Sequence, residues 1–360
     1  MTLGSTNKIV MEKYNSEIWQ SVVDQFNAAL HYGEDVFTMS PQELIQKGIC
    51  HPVRAFVKEE PHSAKKITSG KLRIIAAVSL IEQLKTRLLC STQNKMEIAC
   101  WQSCPSKPGL GLHDEGLFVI QQNMKEILEH GELASTDIGS WDWSVKMWEL
   151  NADAERRRRL AGATKAGVFN FLLRVHAYCV GHSVFMTPCG SLWAQTIAGG
   201  QLSGDYNTSS SNSSMRVCAA LMARQFAGQP LLVGGKIPVC AMGDDAFELA
   251  YPGMAEHIRS LGHVVKFVEL NDKIQGAKFC SQEFDENGTA YPEDPTKTLY
   301  RFLSHNKASD DMVMLQVQLA WYFRHLPREL FREIMTTAQA RVERANKTHS
   351  GLSEQSNTSQ

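Results

Sequence analysis

The tetrapeptide Met242-Gly243-Asp244-Asp245 constrains the fold of this chain more than any other feature. It lies between two apolar runs, IPVCA before it and AFELA after it. Apolar runs on both sides of a tight turn that contains glycine predict a β-hairpin. The turn would hold two adjacent carboxylates, whose mutual repulsion a divalent cation can offset. The sequence therefore predicts a hairpin that presents Asp244 and Asp245 to a metal ion.

Two upstream segments supply further polar residues. Asp137 and Asp142 lie in ELASTDIGSWDWSV, which is interpreted as a strand that enters a helix, and residues 203–213 are interpreted as a polar loop before an apolar helix. Mg²⁺ is usually held by a few carboxylates together with substrate phosphates. Asp137 and Asp244 are the candidate principal ligands, from two neighbouring strands, with Asp245 as a partial third. A pair of such ions would suit phosphoryl transfer.

Asp142 follows Asp137 by five residues, and in a regular strand an odd separation points side chains to opposite faces. The Gly139-Ser140 step suggests a backbone bend that would return Asp142 to the same pocket. A carboxylate together with the Asn212 amide could then read a 2′-hydroxyl, which both donates and accepts hydrogen bonds. The alternative is that both residues are helix caps.

A basic stretch precedes these segments. Residues 54–87 hold eight Lys or Arg against three Glu, although the whole chain of 360 residues has a net charge of −1. The overall charge argues against a general nucleic-acid binder, so any nucleic-acid groove must be locally basic. Lys71 and Arg73 are expected on one face of a strand. The basic side chains are candidates for binding a triphosphate, and a surface charge cluster is the alternative: Lys58, Lys65, Lys66, Lys71 and Arg73.

The remaining patterns predict secondary structure. Helices are expected within residues 13–50, with an N-cap at Ser40, within 114–133, and in two helices after residue 311 that break near Pro327. The run from Arg156 to Arg159 is either a template-contacting patch or, more simply, a solvated helix face.

The nine cysteines indicate a reducing compartment rather than a disulfide framework. Cys100, Cys104 and His113 are a candidate zinc site, with ordinary thiols as the simpler interpretation. The sequence contains no apolar run of about 18 residues and no signal-peptide core, so no membrane span is expected.

Taken together, these motifs resemble viral RNA-dependent RNA polymerases. The resemblance is carried by TDIGSWDWSV, SGDYNTSSSNS, AMGDDAFE and KFCSQEF, preceded by VKEEPHSAKKITSGKLRIIAAVSLIEQL. It is nearest to the sobemovirus, polerovirus and barnavirus-like group of positive-strand RNA viruses. It implies an α+β right-hand fold of fingers, palm and thumb, with a ferredoxin-like antiparallel palm sheet. The implied activity is template-directed RNA synthesis from ribonucleoside triphosphates by a two-metal mechanism, which replicates a viral genome.

The resemblance also assigns roles to residues. Asp137, Asp244 and Asp245 would be the catalytic metal-binding carboxylates, with Mg²⁺ as cofactor and Mn²⁺ as a substitute. Lys266 would act as general acid, with Lys273 as the alternative. The remaining roles are ribose recognition by Asp142, Ser203, Thr208 and Asn212, triphosphate binding by Lys58 and Arg73, and primer support by Phe279, Cys280 and Ser281.

Domain bounds and partners are implied as well. Template RNA and nascent RNA would be partners, together with a protein primer and other viral replication proteins, in the host cytoplasm at membrane-associated complexes reached through a partner. The implied bounds are 1–134 for the N-terminal segment and fingers, 135–150 and 201–296 for the palm, 151–200 for a fingers insertion, 297–345 for the thumb and 346–360 for a disordered tail.

Three other functional classes compete with this interpretation. A reverse transcriptase shares the metal carboxylates, but it usually has a bulky side chain in place of Asp142. A decayed, RNA-binding scaffold would not need intact Asp137, Asp244 and Asp245. A two-metal nuclease would not need a ribose-reading segment.

Overall fold

The computed structural model describes residues 6–60, 62, 64–304 and 309–356. Side chains are described as far as residue 344. The chain forms two compact units, each assembled from three segments. The first comprises residues 1–58, 72–111 and 126–270, and the second comprises 59–71, 112–125 and 271–360. The fingers, palm and thumb bounds remain a prediction.

The α-helices of the described residues are α1 (Asn7–Lys13), α2 (Asn15–Tyr32), α3 (Pro41–Gln46), α4 (Ala64–Thr68), α5 (Leu80–Ala99), α6 (Asp114–Leu128), α7 (Trp141–Ser144), α8 (Met147–Leu160), α9 (Val168–Gly181), α10 (Thr208–Phe226), α11 (Met254–Ser260), α12 (Pro295–Leu303), α13 (Ser309–Tyr322) and α14 (Arg328–Ser356). The strands are β1 (Val53–Val57), β2 (Ile74–Ala77), β3 (Leu133–Gly139), β4 (Val184–Met186), β5 (Leu192–Ala194), β6 (Val239–Met242), β7 (Asp245–Leu249), β8 (Val264–Asn271), β9 (Lys278–Phe279), β10 (Gln282–Phe284) and β11 (Ala290–Pro292).

A four-stranded sheet of order β6-β7-β3-β8 forms the centre of the first unit. β6 and β7 are the predicted hairpin, with Met242 opposite Asp245, and β7 pairs antiparallel with β3. On the other side of β3, Lys266 contacts Asp137, and the carbonyl of Val264 crowds Gly139. Residue numbers therefore fall along β8 as they rise along β3, so this pairing is antiparallel too.

Helix α10 fills the space beneath this sheet. Its Met215, Ala219 and Ala223 are buried in the main apolar core with Ile258 of α11. Small and apolar residues at helical spacing let a helix pack closely on a sheet. This layered arrangement places the first turns of α10 beside the loop ends of β3, β6 and β7.

A second sheet in the first unit has the order β2-β1-β4-β5. The predicted helices before it are present, and α3 begins with a capping box between Ser40 and Glu43. The predicted strand around Lys71 and Arg73 is wrong in its extent. β2 begins only at Ile74, so these two residues do not share a strand face.

The second unit contains a three-stranded sheet of order β11-β10-β9 and a small helical core. Met312, Phe323 and Ala338 of α13, its following turn and α14 are buried in that core. The predicted break near Pro327 is confirmed. The α14 backbone is helical past residue 346, where the tail was expected to begin, and residues 357–360 lie outside the described residues.

The polar stretch at 203–213 is not a loop throughout. Helix α10 begins at Thr208, so the serines and Asn212 occupy its first turns. The prediction was wrong because Ser and Asn normally favour caps and turns over helix interiors. In this helix, acidic residues of other helices accept hydrogen bonds from these side chains: Glu97, Asp142 and Asp153.

The arginine run matches neither sequence interpretation completely. Arg157 is buried and pairs with Asp153 at 2.9 Å, and Arg156 pairs with Asp153 and Glu97. Arg159 is the member that matches the expectation of a solvated face. One member of the run is therefore buried, two are partly buried and one is exposed.

Candidate active site

The hairpin tip brings the acidic residues to one end of the central sheet. Gly243 has φ of +65°, as the first central position of a two-residue type II′ turn requires, and Asp244 follows it. The β3–β7 register pairs Thr136 with Ala246. Continued by one residue, it puts Asp137 across from Asp245. Strands that are distant in sequence thus bring Asp137 to the Asp244-Asp245 turn, as predicted.

Lys266 of β8 compensates the charge of Asp137. Its Nζ lies 3.0 Å from Oδ2 and 3.2 Å from Oδ1 of the carboxylate. The two side chains are 54% and 37% exposed, so water screens this pair and it stabilises the fold only weakly. The assignment of Lys266 as general acid remains a prediction. Lys273 belongs to the second unit, and its role is untested.

The chain bends after β3, as the sequence predicted. Ser140 adopts the left-handed conformation (φ +53°, ψ +49°), and the short helix α7 starts at the next residue. This bend places Asp142 against α10, where Asn212 Nδ2 donates to Asp142 Oδ1 at 2.9 Å. The two side chains contact each other directly, and neither occupies an N-cap position.

The environment of Asp142 links it to the other charged residues. Burial raises the pKa of its carboxyl above the usual range, and the negative charge of Asp244 acts in the same direction. The hydrogen bond from Asn212 and the positive charge of Arg73 oppose this rise. Asp142, Asp244 and Arg73 therefore lie within electrostatic reach of one another.

Ser213 and Trp141, which the sequence interpretation missed, fix this geometry. The N–H of Gly243 donates to Ser213 Oγ at 2.8 Å, so α10 holds the acidic turn directly. Trp141 Nε1 donates to Asn212 Oδ1 at 3.0 Å. Their signal in the sequence is adjacency alone, since each immediately neighbours a predicted site residue.

Ser203 and Thr208 are engaged with the backbone. Ser203 Oγ accepts a hydrogen bond from the N–H of Ala76 at 3.1 Å. Thr208 Oγ1 donates to the carbonyls of Leu202 and Asp205, each at 2.8 Å. These bonds hold the segment before α10 against β2. The predicted contact of both hydroxyls with ribose remains a prediction.

Lys58 and Arg73 lie side by side because they flank the β1–β2 pairing, and their predicted role in triphosphate binding remains a prediction. The N–H of Lys58 donates to the carbonyl of Arg73 at 2.8 Å. Arg73 also faces Asp142 electrostatically. Lys65 and Lys66 lie on α4 of the second unit, so the basic stretch is divided between the two units.

The segment Phe279-Cys280-Ser281 forms a hairpin in the second unit. Phe279 pairs with Gln282, and both turn residues have positive φ, +52° at Cys280 and +57° at Ser281. Such angles are costly for residues other than glycine and often mark functional turns. The expected hairpin is confirmed, and primer support remains a prediction.

The carboxylates fit a hard divalent cation in their chemistry. Asp137 and Asp244 offer accessible oxygens of the kind Mg²⁺ and Mn²⁺ prefer. Within the described ranges, three or more His, Cys, Asp or Glu side chains nowhere form a preassembled metal site, and this also argues against the zinc alternative at Cys100, Cys104 and His113. Few protein ligands are what a site completed by substrate phosphates requires.

Known proteins match most of this chain. A family model described as viral RNA-directed RNA-polymerase matches residues 1–300. The RNA-directed RNA polymerase of Mushroom bacilliform virus is 52% identical over 349 residues, which is 96% of this chain and 82% of that protein.

Longer relatives match as well. The Replicase polyprotein P2AB of Southern bean mosaic virus is 34% identical over 91% of this chain, and Protein P1-P2 of Potato leafroll virus is 38% identical over 79% of it. The matches span 32% and 26% of those two proteins.

Among solved structures, the fold is similar to an insertion-loop deletion mutant of the RNA-dependent RNA polymerase of a human picobirnavirus. The TM-score is 0.60, with 13% identity, over 82% of this chain and 59% of that one. At this identity the likeness concerns the fold alone.

Proposed function

Because the chain belongs to the viral RNA-directed RNA-polymerase family, we propose that it joins ribonucleotides by a two-metal mechanism at the Asp137–Asp244 site. The resemblance to the barnavirus, sobemovirus and polerovirus group is confirmed, and so are the α+β polymerase fold and the assignment as an RNA-dependent RNA polymerase. Viral enzymes of this family in general use divalent metals. The proposal concerns how the residues of this chain carry out the reaction.

The observation that carries the proposal is the convergence of four segments on one end of the sheet. β3 supplies Asp137, the β6–β7 turn supplies Asp244, β8 supplies Lys266, and α10 supplies Asn212. Asp137 and Asp244 would hold Mg²⁺, with Mn²⁺ as a substitute, and Asp245 would assist. When bound, the ions would lower the pKa of the attacking hydroxyl and neutralise charge on the departing pyrophosphate.

The side chains around the carboxylates have complementary tasks. Lys266, an ammonium group at Asp137, would donate a proton to the pyrophosphate as it leaves. Arg73 and Lys58 would bind the triphosphate, since guanidinium and ammonium groups suit phosphate oxygens. Asp142 and Asn212 would read the 2′-hydroxyl, supported by their mutual hydrogen bond. Ser203 and Thr208 would complete this set, and the Phe279–Ser281 hairpin would support the primer.

The substrates and partners follow from the same proposal. The enzyme would bind template RNA, nascent RNA and ribonucleoside triphosphates, and would work with other replication proteins or a protein primer. Among the described residues, no helix is long and apolar enough to cross a membrane. Independently of that finding, the family resemblance suggests as a further part of the proposal that the enzyme would act in the host cytoplasm, at membrane-associated complexes that it reaches through a partner.

The direct test is incubation of the purified protein with a short RNA template, four ribonucleotides and Mg²⁺ or Mn²⁺. RNA extension that needs the metal is the expected result, with the Asp244→Ala variant as control. A preference for deoxynucleotides would instead indicate a reverse transcriptase. Shortened RNA would indicate a nuclease, and RNA binding without turnover would indicate a scaffold.

The role of Asp142 is tested by Asp142→Ala. This variant is expected to lower the ratio of kcat/KM for a ribonucleotide to that for the matching deoxynucleotide by about tenfold, the value of one charge-assisted hydrogen bond. RNA binding, measured by filter retention, should change little. An unchanged ratio would remove Asp142 from ribose recognition.

A further inference from the structure

A buried acid–imidazole pair lies behind the ribose-reading residues, and the proposed reaction does not use it. Glu149 of α8 and His263, which precedes β8, are both fully buried (0% exposed), and His263 Nε2 lies 3.0 Å from Glu149 Oε1. His263 Nδ1 lies 2.9 Å from Ser144 Oγ. Glu149 also accepts the N–H of Lys146 at 2.7 Å, which fixes its carboxylate. The imidazole is therefore held at both ring nitrogens.

The fixed imidazole holds Trp141 in turn. The two rings stack with centroids 4.9 Å apart and planes 17° from parallel. The indole is 2% exposed, and its N–H points at Asn212 Oδ1, 3.0 Å away. Asn212 then donates to Asp142. A continuous series of contacts runs from the buried acid to the carboxylate assigned to the 2′-hydroxyl.

The donor and acceptor chemistry of these groups allows only one orientation of the Asn212 amide. An indole nitrogen can only donate a hydrogen bond, whereas an amide has one accepting end and one donating end. Trp141 therefore selects the accepting end of Asn212 and turns the NH₂ toward Asp142. In the flipped orientation, the indole N–H would face an NH₂ group and the Asp142 carboxylate would face a carbonyl oxygen. Both contacts would be unfavourable in a buried setting.

We propose that Trp141, held by His263 and Glu149, is a positioning residue for sugar selection that fixes the amide of Asn212 in the one orientation able to pair with Asp142. This inference rests on the proposed ribose-reading role of Asp142 and Asn212. The alternative is that Trp141 only fills the core. A core filler needs the area of the ring, but it does not need the N–H.

The test is Trp141→Phe, which keeps an aromatic ring against His263 and removes the N–H. The ratio of kcat/KM for a ribonucleotide to that for its deoxynucleotide is expected to fall about threefold to tenfold, as the loss of one buried hydrogen bond predicts. Both values come from the same preparation, so inactive protein does not affect the ratio. Trp143→Phe is the matched control in the same short helix. Trp143 is 52% exposed and packs on Phe185, so its variant should leave the ratio unchanged.

A double-mutant cycle separates positioning from packing. In an Asn212→Ala background, Trp141→Phe should cause no further change in the ratio, because the amide it orients is gone. Equal losses of kcat/KM for both nucleotides, with the ratio of wild type retained, would overturn the proposal. If Trp141→Phe is insoluble, Trp141→Met takes its place, because its flexible apolar side chain fills part of the volume and has no hydrogen-bond donor.

The outcome also distinguishes this inference from the proposed function. If Asp142→Ala lowers the ratio and Trp141→Phe does not, the positioning role fails and the ribose-reading site stands. If Asp142→Ala leaves the ratio unchanged, the ribose-reading role itself fails, and the positioning role fails with it.

Discussion

Two charged clusters border helix α10, and they treat their charges in opposite ways. At the β6–β7 turn, Asp244 is exposed, and Asp137 is partly exposed beside the water-screened ammonium of Lys266. On the face toward α8, Asp153 is buried and fully engaged. The first cluster leaves negative charge in contact with solvent, and the second balances every charge within the protein.

The buried cluster shows what structural charges require. Asp153 accepts hydrogen bonds from Ser211 at 2.8 Å and Ser214 at 2.7 Å, besides its pairs with Arg156 and Arg157. Burial alone would raise the pKa of this carboxyl, but the charges of Arg157 and Arg156 hold the pKa far below its usual range. The serines that resemble a polar loop in the sequence are the docking surface of α10 for α8.

This difference helps to distinguish charged residues that can bind a ligand from charged residues that stabilise the fold. A buried charge without partners would cost several kcal/mol, so the fold supplies them. Asp244 at the turn is exposed, and its negative charge even disfavours ionisation of Asp142. A carboxylate in contact with solvent is accessible to a ligand, and variants of both clusters test this difference.

The largest expected effect is that of Asp244→Ala on synthesis. Loss of a principal metal ligand should reduce the rate of nucleotide incorporation by at least about 10³-fold, which corresponds to roughly 4 kcal/mol of transition-state stabilisation. The melting temperature without metal should not fall, because a repulsive charge is removed. Asp272→Ala, at an exposed carboxylate with no proposed role, is the control and should keep full activity. A lower melting temperature would contradict the assignment.

Asp153→Asn should show the reverse behaviour. It leaves Arg157 buried without its charged partner, so we expect a loss of about 3–5 kcal/mol in the free energy of unfolding, measured by denaturant titration. Glu155→Gln on the same helix is the control. Glu155 is 36% exposed and pairs with Arg158 and Arg159, so its loss should cost no more than about 1 kcal/mol.

The pH dependence of the free energy of unfolding also tests whether Asp153 belongs to a structural ion pair. The folded pKa of Asp153 is depressed, so its stabilisation is fully present above the unfolded value of about 4 and is lost as the pH falls below it. The Asp153→Asn variant should therefore lose less stability than wild type between about pH 5 and pH 3. An identical acid dependence in the two proteins would count against a structural ion pair.

Lys266→Met is expected to have the smallest of these effects. As a general acid, Lys266 should contribute about 10²-fold to the rate, while its screened pair with Asp137 should contribute less than about 1 kcal/mol to stability. Lys273→Met is the matched comparison and should retain activity. If Lys273→Met alone lowers the rate, the general acid is the other lysine.

Local sequence patterns predicted much of the site. The acidic hairpin, the strand that bears Asp137, the bend at Ser140 and the capping box at Ser40 all depend on residues close in sequence. Hydrophobic periodicity and turn chemistry act over such short distances, so they can be read without a structure. The pairing of Asp142 with Asn212 was inferred from the hydrogen-bonding needs of a 2′-hydroxyl, and the family resemblance assigned both residues to ribose recognition.

The remaining features depend on partners distant in sequence. The serines of α10 were assigned to a loop because their acceptor, Asp153, lies on another helix. Arg156 was assigned to a surface because Glu97, its partner, comes 59 residues earlier. Trp141 received no role from the sequence, since nothing there shows that its N–H meets Asn212. In each case a tertiary contact decides the role of the side chain.

Asn212 and Ser213 are consecutive residues of α10, and one holds Asp142 while the other holds Gly243. One helix therefore holds both the carboxylate proposed to read the incoming sugar and the turn that bears the proposed metal-binding acids. A tilt of α10 would shift both contacts at once. Under these proposed roles, accuracy and speed of copying would be coupled through α10, so a substitution that relaxes sugar selection is expected to change turnover as well.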